Sequence, residues 1–284
     1  TADFLSQKLR KKKLIFLVCR DARDSSLVLK EAVVQGILSQ GSDVIDIGVG
    51  TTPFFYFLMH TESADGGIMI TASHNPAQYN GFKIKSRGGK AVSRGSGLED
   101  IRKIAIGDAS GTGKPGVLLP AKQNYKDKYI KFLSRGISIP AKISVVVDAG
   151  GGSTAFFLPD LLSRFPSIVY KPLFFEPDGS FLRHPPNPLL EEAQKHAREE
   201  LKSSKFRFGA IFDGDGDRAV FLDEKGEVIR QDFISALFAK KELEKNKGET
   251  FVMTVNTSNG VREYIREHGG KIKLRSTGKM RKEI

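Results

Sequence analysis

The sequence predicts an α/β protein built from an open-sheet unit that repeats along the chain. Short apolar runs that read as buried strands alternate with segments of helical periodicity. Glycine and polar clusters punctuate the alternation where strands would end. The same alternation starts again near Ile143 and once more near Asp232, so 284 residues hold two complete units and an unfinished third.

The first unit opens on a strand at Leu14 to Cys19, followed by a helix from about Leu27 to Leu38 that Asp24 or Ser25 would cap and Gly41 would end. Leu27, Ala32, Val33 or Val34, Ile37 and Leu38 form its expected apolar side. A strand at Val44 to Ile47 precedes a second helix that starts near Pro53 and runs through Met59. Ile68 to Ile70 make the next strand, and Gly81 to Lys85 another. The stretch from Ser86 to about Ala121 is rich in Gly, Ser and Lys, holds one helical candidate at Leu98 to Ile106, and reads as an exposed connection. A helix from Tyr125 to Leu133 would cross to the second unit.

There the pattern is a strand at Ile143 to Val147, a glycine loop at Gly150 to Gly152, a helix from Ser153 and a strand at Ile168 to Tyr170. After the Pro-rich passage Pro185 to Pro188 come a helix at Leu189 to Leu201 and strands at Phe206 to Phe212 and Ala219 to Leu222. The third start has a helix at Asp232 to Leu243, a strand at Thr250 to Val255, a helix at Gly260 to Glu267 and a strand at Lys271 to Leu274. That is too little for an independent core.

Hydrophobic content of 39% and charged content of 27% belong to a globular chain, not a disordered or membrane one. An excess of 45 Lys and Arg over 33 Asp and Glu, net +12, favours an anionic partner: nucleic acid, phospholipid or a phosphorylated metabolite. No zinc-finger spacing, aromatic-glycine RNA signature or heptad-supported basic region is present, so nucleic acid is not the expected partner. A generally basic, solvated surface explains the charge equally well. Arg10 to Lys13 followed by Leu14 to Cys19 has the order of a secretory leader, but the apolar part is too short and Arg20-Asp21 stops it. No run is long enough to span a bilayer, so no membrane partner is expected. Cys19 is the only cysteine, which excludes an intrachain disulfide or a cysteine-rich zinc site and makes it a core residue. A reduced cytoplasmic setting is the expectation.

Two stretches carry chemistry. Gly66 to Pro76 delivers Thr71, Ser73, His74 and Asn75 from a strand end into a loop closed by Pro76, so a hydroxyl beside an imidazole is a candidate nucleophile; a plain polar turn is the alternative. Asp213-Gly214-Asp215-Gly216-Asp217-Arg218 alternates carboxylate with glycine between two apolar strands. Three carboxylates in five residues repel one another unless a cation neutralises them, and hard oxygen ligands suit Mg²⁺ or Ca²⁺; a solvated acidic turn is the alternative. Asp213, Asp215, Asp217 and Glu224 match EF-hand loop positions, but Arg218 stands where the sharp turn needs glycine, and strands flank the loop.

Other glycine motifs fail. Gly48-Val49-Gly50-Thr51-Thr52-Pro53 has proline where a dinucleotide fingerprint needs its third glycine. Ser110 to Pro115 has a misplaced first glycine and Pro115 in place of the P-loop hydroxyl residue. Gly150-Gly151-Gly152-Ser153 admits either an anion cradle at a helix N-terminus or close strand-helix packing.

Thr71-Ala72-Ser73-His74-Asn75-Pro76, continuing into Tyr79-Asn80-Gly81-Phe82-Lys83, together with Asp213 to Arg218 in a later unit, closely resembles the alpha-D-phosphohexomutase superfamily. Weaker echoes run from Arg20-Asp21-Ala22-Arg23 to Asp46-Ile47-Gly48 and from Val145 to Gly150 onward, so the resemblance covers nearly the whole chain. The phosphomannomutase/phosphoglucomutase branch is nearest, because Ala77 to Lys83 lacks an inserted glycine-rich segment.

The resemblance implies repeated mixed-sheet α/β/α domains: a phosphoserine-loop domain at 1–120, a metal-loop domain at 121–228 and a partial domain at 229–284. It implies that Ser73 carries a phosphoryl group to and from a phosphorylated hexose through a hexose bisphosphate, with His74 and Lys83 as acid/base and charge-stabilising groups. Asp213, Asp215 and Asp217 would hold Mg²⁺ together with a Ser73 phosphate oxygen, and Arg218 would contact the phosphate. Phosphoryl transfer needs positioning and positive charge around a loose transition state, which these groups supply. Phosphoglucosamine mutase is the enzymatic alternative, and a non-catalytic cation- or anion-binding protein the alternative of another class. Against the family pattern, the opening arginine-bearing segment, the sugar-reading loop and the fourth, phosphate-gripping domain are absent from the sequence, so efficient turnover is not expected of this stretch alone. Lys279 follows Ser276-Thr277-Gly278 too soon, and a dropped segment between Gly278 and Lys279 is expected, which an intact mass checks.

Overall fold

The computed structural model describes residues 1–107, 114–203 and 205–275; the Ser110 to Gly113 part of the P-loop look-alike and the Gly278–Lys279 join lie outside them. Chain order in the first part is α1 (Ala2–Leu9), β1 (Ile15–Arg20), α2 (Asp24–Ser39), β2 (Asp43–Val49), α3 (Thr52–Thr61), β3 (Gly66–Ile70), β4 (Phe82–Ser86), β5 (Lys90–Val92), α4 (Leu98–Ile106) and β6 (Leu118–Leu119). The six strands form one sheet in the order β5-β4-β3-β1-β2-β6. Pairs β3/β1, β1/β2 and β2/β6 are parallel, whereas β3/β4 and β4/β5 are antiparallel. Leu17, Val18 and Cys19 of β1 are fully buried, as a central strand covered on both faces requires, and the Cys19 thiol is pushed up in pKa by that burial.

The second sheet repeats this plan. It contains β7 (Ile143–Asp148), β8 (Ile168–Leu173), β9 (Phe208–Phe212), β10 (Ala219–Asp223) and β11 (Val228–Ile229), in the order β11-β10-β9-β7-β8. As β1 does in the first sheet, β7 has parallel partners on both sides, and the antiparallel strands β10 and β11 complete one edge. After a 3₁₀ turn at Ser153–Phe156 comes the short α6 (Leu158–Leu162), and α7 (Glu191–Ser203) covers one face through Ala197 and Leu201. Between the sheets lies α5 (Tyr125–Ser134). Its Tyr129 ring stands 5.4 Å from Phe54 of α3 and 5.6 Å from Phe157, and Phe54 and Phe157 are 5.0 Å apart. This buried aromatic group ties the first sheet to the second unit. The third part holds α8 (Gln231–Lys245), β12 (Thr250–Thr254), α9 (Asn259–Glu267) and β13 (Lys271–Arg275), with β12 parallel to β13 over a small core of Ala239, Val261 and Ile265.

Several local expectations change. The N-cap position of helix α2 is Arg23, one residue before Asp24 and two before Ser25, and it makes no side-chain cap of its own. Asp21, two residues upstream, anchors that end of the helix, accepting the Arg23 backbone N–H at 3.1 Å and the Ser26 hydroxyl at 2.6 Å. Leu27, expected on the apolar side of α2, is exposed, and Ser26 is buried in its place. The connection from Ser86 is less bare than its composition suggests, since β5 and β6 are short edge strands within it. Glu191 rather than Leu189 starts α7.

Candidate functional site

Strand β3 ends at Ile70, and the chain turns back through residues 71–81 into β4. At the tip, Ser73 adopts φ 54°, a left-handed backbone that a serine takes only when its surroundings hold it there. The Thr71 hydroxyl accepts the Ser73 N–H at 2.8 Å. From the second sheet the equivalent connection, residues 213–218 between β9 and β10, approaches until the Ser73 hydroxyl donates to Asp213 Oδ2 at 2.9 Å. Both groups are buried.

The acidic loop is folded by its own amides. Asp213 Oδ1 accepts the N–H groups of Asp217 and Arg218 at 3.0 and 3.1 Å, and Gly216, at φ 69°, provides the curl. The carboxylates thereby converge, with one oxygen of each of Asp213, Asp215 and Asp217 within 4.8 Å of the others. Lys83 reaches in from β4, its Nζ 2.6 Å from Asp215 Oδ2 and 2.8 Å from Asp217 Oδ2, and the Thr52 hydroxyl donates to Asp215 Oδ2 at 2.5 Å.

Burial pushes the Asp213 carboxyl up to about 7, and the charges of Asp215 and Asp217 push in the same direction. Burial acts the same way on Asp215, but the adjacent Lys83 charge and the hydrogen bonds from Lys83 and Thr52 outweigh it and hold that carboxyl below its ordinary value. Lys83 is correspondingly raised: burial would lower it, and the two aspartates more than reverse that. His74, beside Ser73, is lowered by burial and then by the Arg218 charge; its Nδ1 lies 2.9 Å from Arg218 Nη1. A guanidinium can only donate, so Nδ1 accepts and the neutral ring carries its proton on Nε2.

The structure thus brings Ser73, His74, Lys83, Asp213, Asp215, Asp217 and Arg218 into one site between the two sheets. The donor set suits a divalent cation that prefers hard oxygen ligands. One observation favours such an ion directly: Asp215 Oδ1 is buried and has no hydrogen-bond partner, and an ionised oxygen in that condition is costly unless a cation meets it.

Residues 1–108 match phosphoglucomutase/phosphomannomutase alpha/beta/alpha domain I, and residues 127–226 match domain II of the same family. The chain belongs to the phosphoglucomutase/phosphomannomutase family. It is 34% identical over 283 residues to a phosphomannomutase of Vibrio cholerae, covering 93% of this chain and 59% of that protein. A probable phosphoglucosamine mutase of Pyrococcus horikoshii is 35% identical over 255 residues, covering 89% of this chain and 55% of the relative. Among solved structures, a phosphoglucomutase/phosphomannomutase family protein of Burkholderia thailandensis superposes with a TM-score of 0.87 at 29% identity, over 99% of this chain and 63% of that one. The chain therefore spans about three fifths of the length of the relatives it matches.

In this phosphohexomutase chain the glycine loop after β7 resolves in favour of packing. The amides of Gly150, Gly151, Gly152 and Ser153 are taken by Asp148 Oδ1, Phe174 O, Ala149 O and Gly214 O, so no N–H of the four is left to meet an anion. A Cβ on Gly152 would stand 2.8 Å from the Gly214 carbonyl oxygen, so the loop supports the acidic loop from behind. Sequence reasoning missed the support on the other side. Arg23, fully buried, sends its guanidinium into the 71–81 loop, and only the proximity of Asp21 to Arg23 in sequence hinted at a buried ion pair.

Proposed function

We propose that this chain contributes the phosphoserine loop and metal loop of an enzyme that moves a phosphoryl group between the 1- and 6-positions of a hexose phosphate through a bisphosphate. Its parts would be a phosphoserine domain at 1–120, a metal-loop domain at 121–228 and a portion of a third domain at 229–284. The observation that carries this reading is the Ser73–Asp213 hydrogen bond of 2.9 Å, which sets a hydroxyl on one sheet against an acidic triad on the other.

Asp213, Asp215 and Asp217 would hold Mg²⁺ with an oxygen of Ser73 or its phosphate. The ion would supply positive charge to the transferring phosphoryl group. Ser73 Oγ serves as the phosphoryl acceptor and donor: the P–O bond to Ser73 breaks as the bond to a sugar hydroxyl oxygen forms, and the proton that the sugar hydroxyl loses ends on the freed Ser73 Oγ. On the opposite half of the reaction Ser73 recovers a phosphoryl group from the other sugar oxygen. Lys83 and Arg218 are fixed cations at the rim of the site. His74, with Nδ1 engaged by Arg218, presents Nε2–H as a hydrogen-bond donor to a phosphate or a leaving sugar oxygen. The expected substrates are a phosphorylated hexose and its bisphosphate, and the expected setting is the cytoplasm. A glucosamine phosphate is the second candidate, on the strength of the Pyrococcus horikoshii relative.

Incubation with Mg²⁺ and a hexose bisphosphate, followed by intact mass and peptide mapping, should place one phosphoryl group on Ser73. In the full-length context, a Ser73→Ala protein that still interconverted hexose 1- and 6-phosphates would sink the assignment, and activity on glucosamine 6-phosphate would decide between the two sugars.

A further inference from the structure

We infer that Arg23 is the positioning residue that aims Ser73, acting from outside the loop that carries the nucleophile. The inference rests on the phosphoserine reading for its functional consequence, and on geometry alone for its structural one. Arg23 lies at the start of α2 and is 0% exposed. Each of its five guanidinium hydrogens has an acceptor. Nε donates to Asp21 Oδ2 at 3.1 Å, Nη1 to the carbonyl oxygens of Pro76 and Tyr79 at 2.7 and 3.1 Å, and Nη2 to those of Ser73 and Asn75 at 2.8 and 2.6 Å. Four backbone carbonyls of one loop, including that of the nucleophile, therefore converge on a single planar cation.

This arrangement explains the backbone of Ser73. A serine at φ 54° is disfavoured relative to extended or right-handed forms, and its carbonyl must point to Arg23 while its side chain points to Asp213. The guanidinium meets that carbonyl and so selects the conformer that faces the acidic loop. The second unit adds a contact from the far side: the Phe181 ring lies 5.0 Å from Arg23 Cζ, and the same ring would touch a Cβ placed on Gly214 at 3.2 Å. One aromatic side chain thus borders both the arginine behind the nucleophile and the loop of the aspartates. A lysine cannot reproduce the set, because it offers three donors from one point and no planar face.

The test compares the wild-type chain with Arg23→Ala and Arg23→Lys by amide hydrogen exchange and by phosphoryl uptake from a hexose bisphosphate. Amides in residues 71–81 should exchange at least about tenfold faster in both variants, while those of β7 and β9 keep wild-type protection. Phosphorylation of Ser73 should slow by roughly a hundredfold in both, as expected for a misplaced reacting group. Millimolar guanidinium should restore both readouts to Arg23→Ala and leave wild type unchanged. Arg23→Lys, which keeps a charge beside Asp21, decides the matter if Arg23→Ala does not fold. Wild-type exchange in 71–81, a uniform loss of protection across the chain, or wild-type phosphorylation on a loosened loop would each overturn the proposal. Should wild type take up no phosphoryl group even in the full-length context, the phosphoserine reading fails, and the exchange result still decides whether Arg23 orders the loop.

Discussion

Two loops occupy the same topological position in this molecule and are held in opposite ways. Residues 71–81 leave β3, a parallel neighbour of β1, and return in the antiparallel β4; residues 213–218 leave β9, a parallel neighbour of β7, and return in the antiparallel β10. The acidic loop is short and closes on itself, with the Asp213 carboxylate accepting amides four and five residues downstream. The serine loop is longer, and its carbonyls turn to a buried arginine 50 or more residues away in sequence. A loop that must gather like charges needs stiffness close to those charges. A loop that must present one hydroxyl can be set from behind, leaving its front open to a substrate.

The largest expected effects come from the serine of one loop and an aspartate of the other. Ser73→Ala should abolish phosphoryl uptake altogether, by intact mass, while leaving the melting temperature close to wild type; uptake at another residue would show that the serine loop is not the carrier. Removing a ligand from the opposite loop should act on the metal instead. Asp215→Asn is expected to weaken Mg²⁺ binding by about a hundredfold or more in calorimetry, at least as much as the loss of an outer-shell partner does. Unchanged affinity would mean that the triad is a charge network around Lys83 and no metal site.

The contact between the loops comes next. A methyl group on Gly214 would stand 2.8 Å from the Ser73 carbonyl oxygen. Gly214→Ala should therefore push the loops apart and cost about 1–3 kcal/mol, the range for overpacking a tight site. Chemical denaturation measures the stability, and phosphoryl uptake the lost alignment. A neutral result would show that the approach is looser than the distances say.

The smallest effect concerns the support behind the acidic loop. His184 is buried, with Nε2 3.2 Å from Asp148 Oδ1 and Nδ1 2.8 Å from the Pro185 carbonyl oxygen, and Gly214 donates its N–H to the next carbonyl, Pro186 O, at 3.3 Å. Burial would lower the His184 pKa, but the hydrogen bond and charge of Asp148 raise it above its ordinary value. A raised folded pKa means that the folded protein binds the proton more tightly. The stabilisation is then complete below the unfolded value near 6.5 and fades as pH climbs through the folded one. The difference in melting temperature between wild type and His184→Gln should shrink over that interval. A constant difference from pH 5 to pH 9 would remove the ion pair from the account.

How much was legible follows the same division. Alternating Asp and Gly between apolar strands, and Ser-His-Asn-Pro after an apolar run, are local patterns whose chemistry is visible because their partners are neighbours in sequence. Strands with buried cores, such as β1, β3, β7 and β9, announced themselves by apolar runs. The edge strands β5, β6 and β11 did not, because two or three residues carry too little periodicity to register. Helix α1, with only Ala2 and Leu5 buried, was hidden for the same reason, and the start of α2 was displaced because Asp21, outside the helix, anchors that end through the Arg23 N–H and the Ser26 hydroxyl.

From the sequence alone came the repeated α/β plan, the buried Cys19, the candidate nucleophile Ser73 and the candidate ligands Asp213, Asp215 and Asp217, since each depends on residue type and short spacing. Only the tertiary structure decided that Ser73 Oγ meets Asp213 across two sheets, that Lys83 bridges Asp215 and Asp217, that the glycine loop spends its amides on packing, and that Arg23 turns to the serine loop. Apart from the Gly150–Asp148 and Gly152–Ala149 bonds of the glycine loop, those contacts join residues separated by tens to more than a hundred positions. Sheet order and interdomain packing bring them together, and no local pattern encodes which buried donor will face which buried acceptor.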